Sequence, residues 1–226
     1  NIRSEIMRRF EDLCRFEDDT KFSIAVVGGG PTGVEMAGAI AELKRGPLNS
    51  DNSSAAKNIS VYLIEAGPRL LPSLSEKSSA RTKKDLEKLG VTVLTQAAVA
   101  EVKPRQILFS DGRSIPAEVT IWAAGVKGEP AMKALALPQD GIRIAVESSL
   151  QVSNYPYVFA IGDIAGARGK DGKYLPMVAP VAMQQARFVA KQIARIIKSE
   201  PLKEFSYIDK GSMATIGRNK AVVEVK

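Results

Sequence analysis

The run Gly28-Gly29-Gly30-Pro31-Thr32-Gly33, with the segments that flank it, constrains this chain more than any other feature. Before it, Lys21 to Val27 (KFSIAVV) is a short apolar run of the kind that forms a buried parallel strand. After it, Val34 to Arg45 carries apolar residues at helical spacing and stops at Gly46. A Gly-x-Gly-x-x-Gly loop between a strand and a helix is the dinucleotide fingerprint. Gly28 allows the tight turn, Gly30 lets the backbone approach a pyrophosphate, and Gly33 lets helix and strand pack closely. The pyrophosphate then rests on the helix N-terminus, at Pro31 and Thr32, where N–H groups and the helix dipole favour negative charge.

The fingerprint also asks for an acidic residue about 20 positions on, at the end of the next strand. Ile59 to Glu65 reads as that strand. Glu65 lies 32 positions after Gly33, and discounting the 13 residues of loop 46–58 (GPLNSDNSSAAKN) leaves 19. The loop, rich in Ser and Asn, reads as an insertion expected to be poorly ordered and dispensable. Glu65 is the candidate acceptor for the adenosine ribose hydroxyls. A carboxylate there repels a 2′-phosphate and favours NADH over NADPH, with Arg69 close enough to offset part of that repulsion.

Composition excludes several chemistries. There is no His, so Ser-His-Asp triads, Cys-His dyads and His-based metal sites are out, and no metal site is expected. The single Cys14 rules out a disulfide framework and a CxxC redox pair. No apolar run approaches the roughly 18 residues that a spanning helix needs. With 45% hydrophobic residues in 226, the chain can bury one large core or two smaller ones. A net charge of +7 suits an anionic partner such as a nucleotide or an acidic membrane surface. The Lys and Arg are spread along the chain rather than massed in one block, so no nucleic-acid partner is expected.

The rest of the chain alternates in the same way. Residues 1–18 read as a helix with Ile2, Ile6, Phe10 and Leu13 on one stripe. Ser75 to Leu89 reads as a helix stopped by Gly90, followed by a strand at Val91 to Leu94. Short strands follow around Val99 and Ile107, then a Ser110–Arg113 turn and a strand at Val119 to Ala123. A second apolar strand, Tyr157 to Ile161, ends in Gly162-Asp163. The longest helix spans about Val181 to Lys198, and the tail from Phe205 onward reads as β-structure.

Taken in order, VVGGGPTGVEMAGAIAEL, LIEAGPRLLP, IWAAGV, VFAIGDIA and KGSMATIGR resemble the type II NADH dehydrogenases, flavoenzymes that pass electrons from NADH to quinone. The resemblance runs over nearly the whole chain. It implies an α/β fold: a Rossmann-like NAD(H)-binding domain with a three-layer parallel sheet, plus the returning part of an FAD-binding domain. It implies NADH and FAD as cofactors, quinone as electron acceptor, a peripheral place on the cytoplasmic face of a membrane, and a possible homodimer. Such enzymes open with a separate Gly-x-Gly-x-x-Gly unit for FAD and close with amphipathic membrane helices. Neither is seen here, so the chain is expected to be an internal segment, inactive alone and with FAD lost. Residues 1–18 would be a linker helix, 19–147 the NAD(H)-binding domain, and 148–226 the returning part of the FAD domain and the start of the C-terminal region.

The resemblance also suggests roles. Hydride transfer from nicotinamide to flavin needs no side-chain nucleophile, because the cofactors carry the chemistry. Glu35 lies by the nicotinamide and flavin in similar proteins; equally, it reads as an acidic residue stabilised by the helix dipole. Ala124-Gly125 would lie along the dinucleotide. Gly162-Asp163 is similar to the second FAD motif, in which the Asp binds a ribityl hydroxyl. Pro180 and Val181 open a helix aimed at the flavin. The family's quinone motif Ala-Gln-x-x-x-Gln reads here Ala179-Pro180-Val181-Ala182-Met183-Gln184, so Gln184 matches and Pro180 departs. A reductase of a ferredoxin-like protein and a non-catalytic NADH-binding module remain as alternatives.

Overall fold

The computed structural model describes residues 4–9, 11, 21–45, 58–128 and 134–226. The expected loop 46–58 lies almost entirely outside them, as does most of the expected helix 1–18. Its described residues 4–9 are helical, and Ile6 is buried.

Strand β1 (Phe22–Val27) is buried at every position, as its unbroken apolar run requires. It pairs in parallel with β2 (Ile59–Ile64) on one side and β7 (Val119–Trp122) on the other, with Val27 level with Ile64 and Trp122. Strand β3 (Val91–Leu94) joins the far side of β2, giving a parallel sheet in the order β3-β2-β1-β7. Helix α1 (Pro31–Arg45) follows β1, and α2 (Glu76–Lys88) follows β2. Ser75 caps α2, its hydroxyl accepting the Ser78 N–H.

One sheet face buries Ile24, Val26, Leu63 and Ile121 against Val34, Ala37 and Ile40 of α1 and Leu86 of α2. The other face buries Ala25, Val27 and Ile64 against Ile107 and Phe109. Those two residues belong to an antiparallel sheet of β4 (Val99–Lys103), β5 (Gln106–Phe109) and β6 (Ser114–Pro116). The outer layer on that face is therefore a β-meander. A hairpin of β12 (Ser212–Thr215) and β13 (Ala221–Glu224) adds Ala214, Ile216 and Val222 to the core that holds α1.

The chain forms two compact units, residues 1–125 with 210–226, and residues 126–209. The boundaries expected at 18/19 and 147/148 divide the chain by binding role; compactness divides it elsewhere. The second unit holds two small antiparallel pairs, β8 (Gln139–Asp140) with β9 (Arg143–Ile144) and β10 (Gln151–Val152) with β11 (Tyr155–Phe159). A single 3-10 turn, Gly162–Ile164, precedes helix α3 (Ala179–Ile197). Strand β11 begins and ends two residues before the expected Tyr157–Ile161, and it is mostly exposed. Its pairing with β10, Gln151 opposite Phe159, sets those limits. Leu150, Ala167, Leu175, Val181 and Val189 form this unit's main core.

Candidate functional site

The carboxyl ends of β1, β2 and β7 meet along one edge of the parallel sheet, where ligands of open α/β sheets bind. Gly28 follows β1 with φ +116°, and its N–H donates to the Ile64 carbonyl at 2.7 Å. A Cβ there would lie 2.7 Å from the Ala123 carbonyl carbon and 2.8 Å from the Ala124 nitrogen, so only glycine fits against the end of β7. At Gly33 a Cβ would be 1.8 Å from the Gly28 carbonyl oxygen, which fixes how closely α1 packs on the loop. Gly30 differs from both: nothing lies within 4 Å of its Cβ position. The three glycines thus divide as the fingerprint requires, two facing protein and one facing open space.

Helix α1 starts at Pro31, with Gly30 accepting the first helical bond from the Val34 N–H at 3.0 Å. The preceding N–H groups of Thr32 and Gly33 have no acceptor within the helix. Pro31 and Thr32 are exposed. Such an end offers donors and a positive dipole to an anion.

Glu65 stands just beyond β2, half-buried, with its carboxylate over the loop. Its Oε2 accepts the Gly29 N–H and its Oε1 the Gly67 N–H, each at 2.6 Å. Gly29, to which the sequence assigned no role, is held in the same cluster. A Cβ there would be 2.8 Å from both Glu65 Oε2 and Leu70 Cδ2. The only signal was its place as the middle glycine of the uninterrupted Gly28–Gly30 run. Arg69 donates to the carbonyls of Leu74 at 2.7 Å and Pro72 at 2.8 Å, so its guanidinium is tied to its own loop. Ala124 and Gly125 are exposed at the end of β7, Gly125 with φ +87° and open space at its Cβ position. The structure therefore brings Gly28, Gly30, Pro31, Thr32, Gly33, Glu65, Ala124 and Gly125 to one sheet edge.

Glu35 lies one residue past the first turn of α1, not within it. It is exposed, and its Oε1 accepts the Thr215 N–H at 3.3 Å.

In the second unit, Gly162 has φ +73°, and its N–H donates at 2.6 Å to Oε1 of Gln185, a side chain that is 1% exposed. Asp163 is exposed in the 3-10 turn. The start of α3 packs beside it, with Ala182 Cβ 3.6 Å from a Cβ position on Gly162. Pro180 sits in the first turn, and Val181 is buried. Gln184 uses both ends of its amide on one residue, donating to the Ile208 carbonyl at 2.9 Å and accepting the Ile208 N–H at 3.0 Å. Gln192 grips Lys203 in the same way. Between them Phe205 packs edge-on against Phe188, with ring centroids 5.3 Å apart. Residues 203–208 are thus strapped along α3. No group of acidic residues among the described residues is arranged for a metal ion, and no described helix is long and apolar enough to cross a membrane.

A parallel sheet with a glycine loop after its central strand and a fixed acid after the next defines a dinucleotide-binding α/β protein. Within that class the chain belongs to the pyridine nucleotide-disulphide oxidoreductase family, whose pattern matches residues 4–186. A type II NADH:quinone oxidoreductase of Haemophilus influenzae is 34% identical over 91% of this chain and 47% of its own length. Another of that name from Mycobacterium tuberculosis is 36% identical over 99% of the chain and 51% of its own length. The chain thus spans about half the length of the curated relatives it matches. Among solved structures, NDH2 of Plasmodium falciparum in complex with NADH shares the fold, with a TM-score of 0.81 at 21% identity over 92% of the chain and 58% of its own.

Proposed function

We propose that the chain is the NADH-binding part of a flavin-dependent NADH:quinone oxidoreductase. The observation that carries this reading is the division of labour in the glycine loop. Gly28 and Gly33 are closed off by protein, while Gly30 has open space at its Cβ position, in the loop that leads from the Glu65-held Gly29 into α1. That arrangement fits a dinucleotide with its pyrophosphate on Gly30, Pro31, Thr32 and Gly33, its adenosine ribose on Glu65, and its nicotinamide end toward Ala124-Gly125. Glu35 would stand near the nicotinamide, one carboxylate oxygen anchored to β12 and the rest of the group able to orient the ring. By role, residues 19–147 bind NADH and 148–226 belong with the flavin.

The second unit also has features that suit FAD. Gln185 holds the Gly162 N–H, and the next residue, Asp163, is exposed in the 3-10 turn. Asp163 would hold a ribityl hydroxyl, and the backbone at Pro180 and Val181 would face the flavin ring. When bound, FAD accepts the hydride of NADH and supplies the redox chemistry. The chain's own residues bind, orient and exclude water. Quinone is the electron acceptor in this reading, with Gln184 on the quinone side of α3. The enzyme would work as a peripheral protein on the cytoplasmic face of a membrane, as a homodimer.

Titrating the chain with NADH, and recording the flavin spectrum and quinone reduction of the full-length protein, tests this. Saturable NADH binding, bound flavin and NADH-dependent quinone reduction are expected. Binding of NADH without any quinone reduction by the flavin-loaded protein overturns the quinone assignment.

A further inference from the structure

Helix α1 is held on two sides. Toward the sheet, Gly33 abuts the Gly28 carbonyl. On a second side lies the β12–β13 hairpin. The Gly217 backbone, at the hairpin turn, approaches so closely that a Cβ on Gly38 would be 2.9 Å from the Gly217 nitrogen. One turn further along the helix, Glu42 Oε1 accepts the Arg218 N–H at 2.7 Å. Thr215, Gly217 and Arg218 advance along α1 in the same direction as Glu35, Gly38 and Glu42, so this stretch runs along the helix and does not merely cross it.

The hairpin is itself bolted to α2. Lys220 Nζ meets Asp85 Oδ1 at 2.8 Å, and Glu224 Oε1 accepts the Ser75 N–H at 2.8 Å and the Ser78 hydroxyl at 2.6 Å. The hairpin therefore moves with the α2 framework, and α1 is trapped between it and the sheet.

Any tilt of α1 reaches the site. An α-helix is a stiff rod, and the 15 residues of α1 make it about 22 Å long. Its first N–H groups would hold the pyrophosphate, through hydrogen bonds that weaken over a few tenths of an ångström. We propose that the β12–β13 hairpin is a positioning clamp for the dinucleotide site. In it Gly38, Gly217 and Glu42 fix the pose of α1 and thereby set its affinity for NADH. The clamp rests on the reading of the glycine loop as the NADH site. None of the three residues need touch the nucleotide; they act through the helix.

The test uses Glu42→Ala, Glu42→Gln and Gly38→Ala in the full-length, flavin-loaded protein. NADH affinity is measured by titration well below the unfolding temperature, beside Tm and the kcat and KM of NADH oxidation. Glu42→Ala should raise Kd and KM for NADH roughly three- to ten-fold, the effect of one lost hydrogen bond, with kcat nearly unchanged. Glu42→Gln keeps an acceptor oxygen and should restore affinity to within about two-fold of the parent. Gly38→Ala should weaken binding further, because its Cβ forces the hairpin and helix apart; if that variant does not fold, the Glu42 pair decides. A lowered Tm with unchanged NADH affinity in Glu42→Ala overturns the clamp and leaves the hairpin a purely structural element. A parent protein that does not bind NADH at all overturns the loop reading and the clamp with it.

Discussion

The Glu65 carboxylate receives the N–H groups of Gly29 and Gly67 and is thereby held beside the dinucleotide loop. A charge pinned in that way accepts hydrogen bonds from a ribose diol but repels a 2′-phosphate at close range. Arg69 is the nearby cation that would offset the repulsion, and its guanidinium is committed to the carbonyls of Pro72 and Leu74. NADH should therefore bind more tightly than NADPH, and Glu65→Ala should shrink that preference by about ten-fold, or about 1.4 kcal/mol. Titration of both nucleotides against both proteins checks this, and tighter NADPH binding by the parent would remove the assignment. Gly28, Gly30 and Gly33 were legible in the sequence because their demands are local to a strand–loop–helix. Gly29 was not, since what crowds its Cβ position is Glu65 and Leu70, residues far along the chain.

Elements were legible to the extent that one segment's own pattern decides them. Strand β1 is apolar throughout and buried throughout. Helices α2 and α3 fall within two residues of their expected limits, because apolar spacing and stop signals mark them. The strand expected at Tyr157–Ile161 shows where this ends. Its residues are apolar, but the pairing of Gln151 with Phe159 places the strand earlier and leaves Tyr157 81% exposed. The glutamines of α3 mislead in the opposite direction. By residue type they belong in solvent, yet Gln185 and Gln192 lie at helical spacing on the stripe of Val181 and Val189, are each 1% exposed, and each binds distant backbone. Gln192→Leu would leave the Lys203 N–H and carbonyl without their partner. It should cost roughly 1–3 kcal/mol and lower Tm by several degrees, with NADH affinity unchanged. Thermal unfolding and NADH titration of the variant measure both, and an unchanged Tm would mean that the strap along α3 carries no stability.

The division of the whole chain into units was not legible, because it depends on contacts between residues far apart in sequence. The reading by role divides the chain at 147/148, whereas the first unit closes at Gly125 and is completed by Lys210–Lys226. Those last residues are joined to it by bonds that span 135 to 180 positions, and several are made by carboxylates. Two of these carboxylates tie stability to pH. Asp85, with a side chain only 4% exposed, is held below the usual carboxylate range by its hydrogen bond from Lys220, with Arg81 on its other oxygen. Glu224 is lowered by the bonds from Ser75 and Ser78, with Arg69 adding a smaller attraction. A group whose folded-state pKa is depressed contributes stability that is complete above its unfolded value, about 3.9 for Asp and 4.3 for Glu, and is lost as pH falls through the lower folded value. Docking of the hairpin should therefore be constant from neutral pH down to about 5 and weaken below about 4. Asp85→Asn removes one of the two titrations: it should lower Tm at neutral pH and flatten the fall of Tm in acid. Thermal melts of parent and variant across that range test this, and an acid dependence as steep in Asp85→Asn as in the parent would show that Asp85 is not one of the groups that govern it.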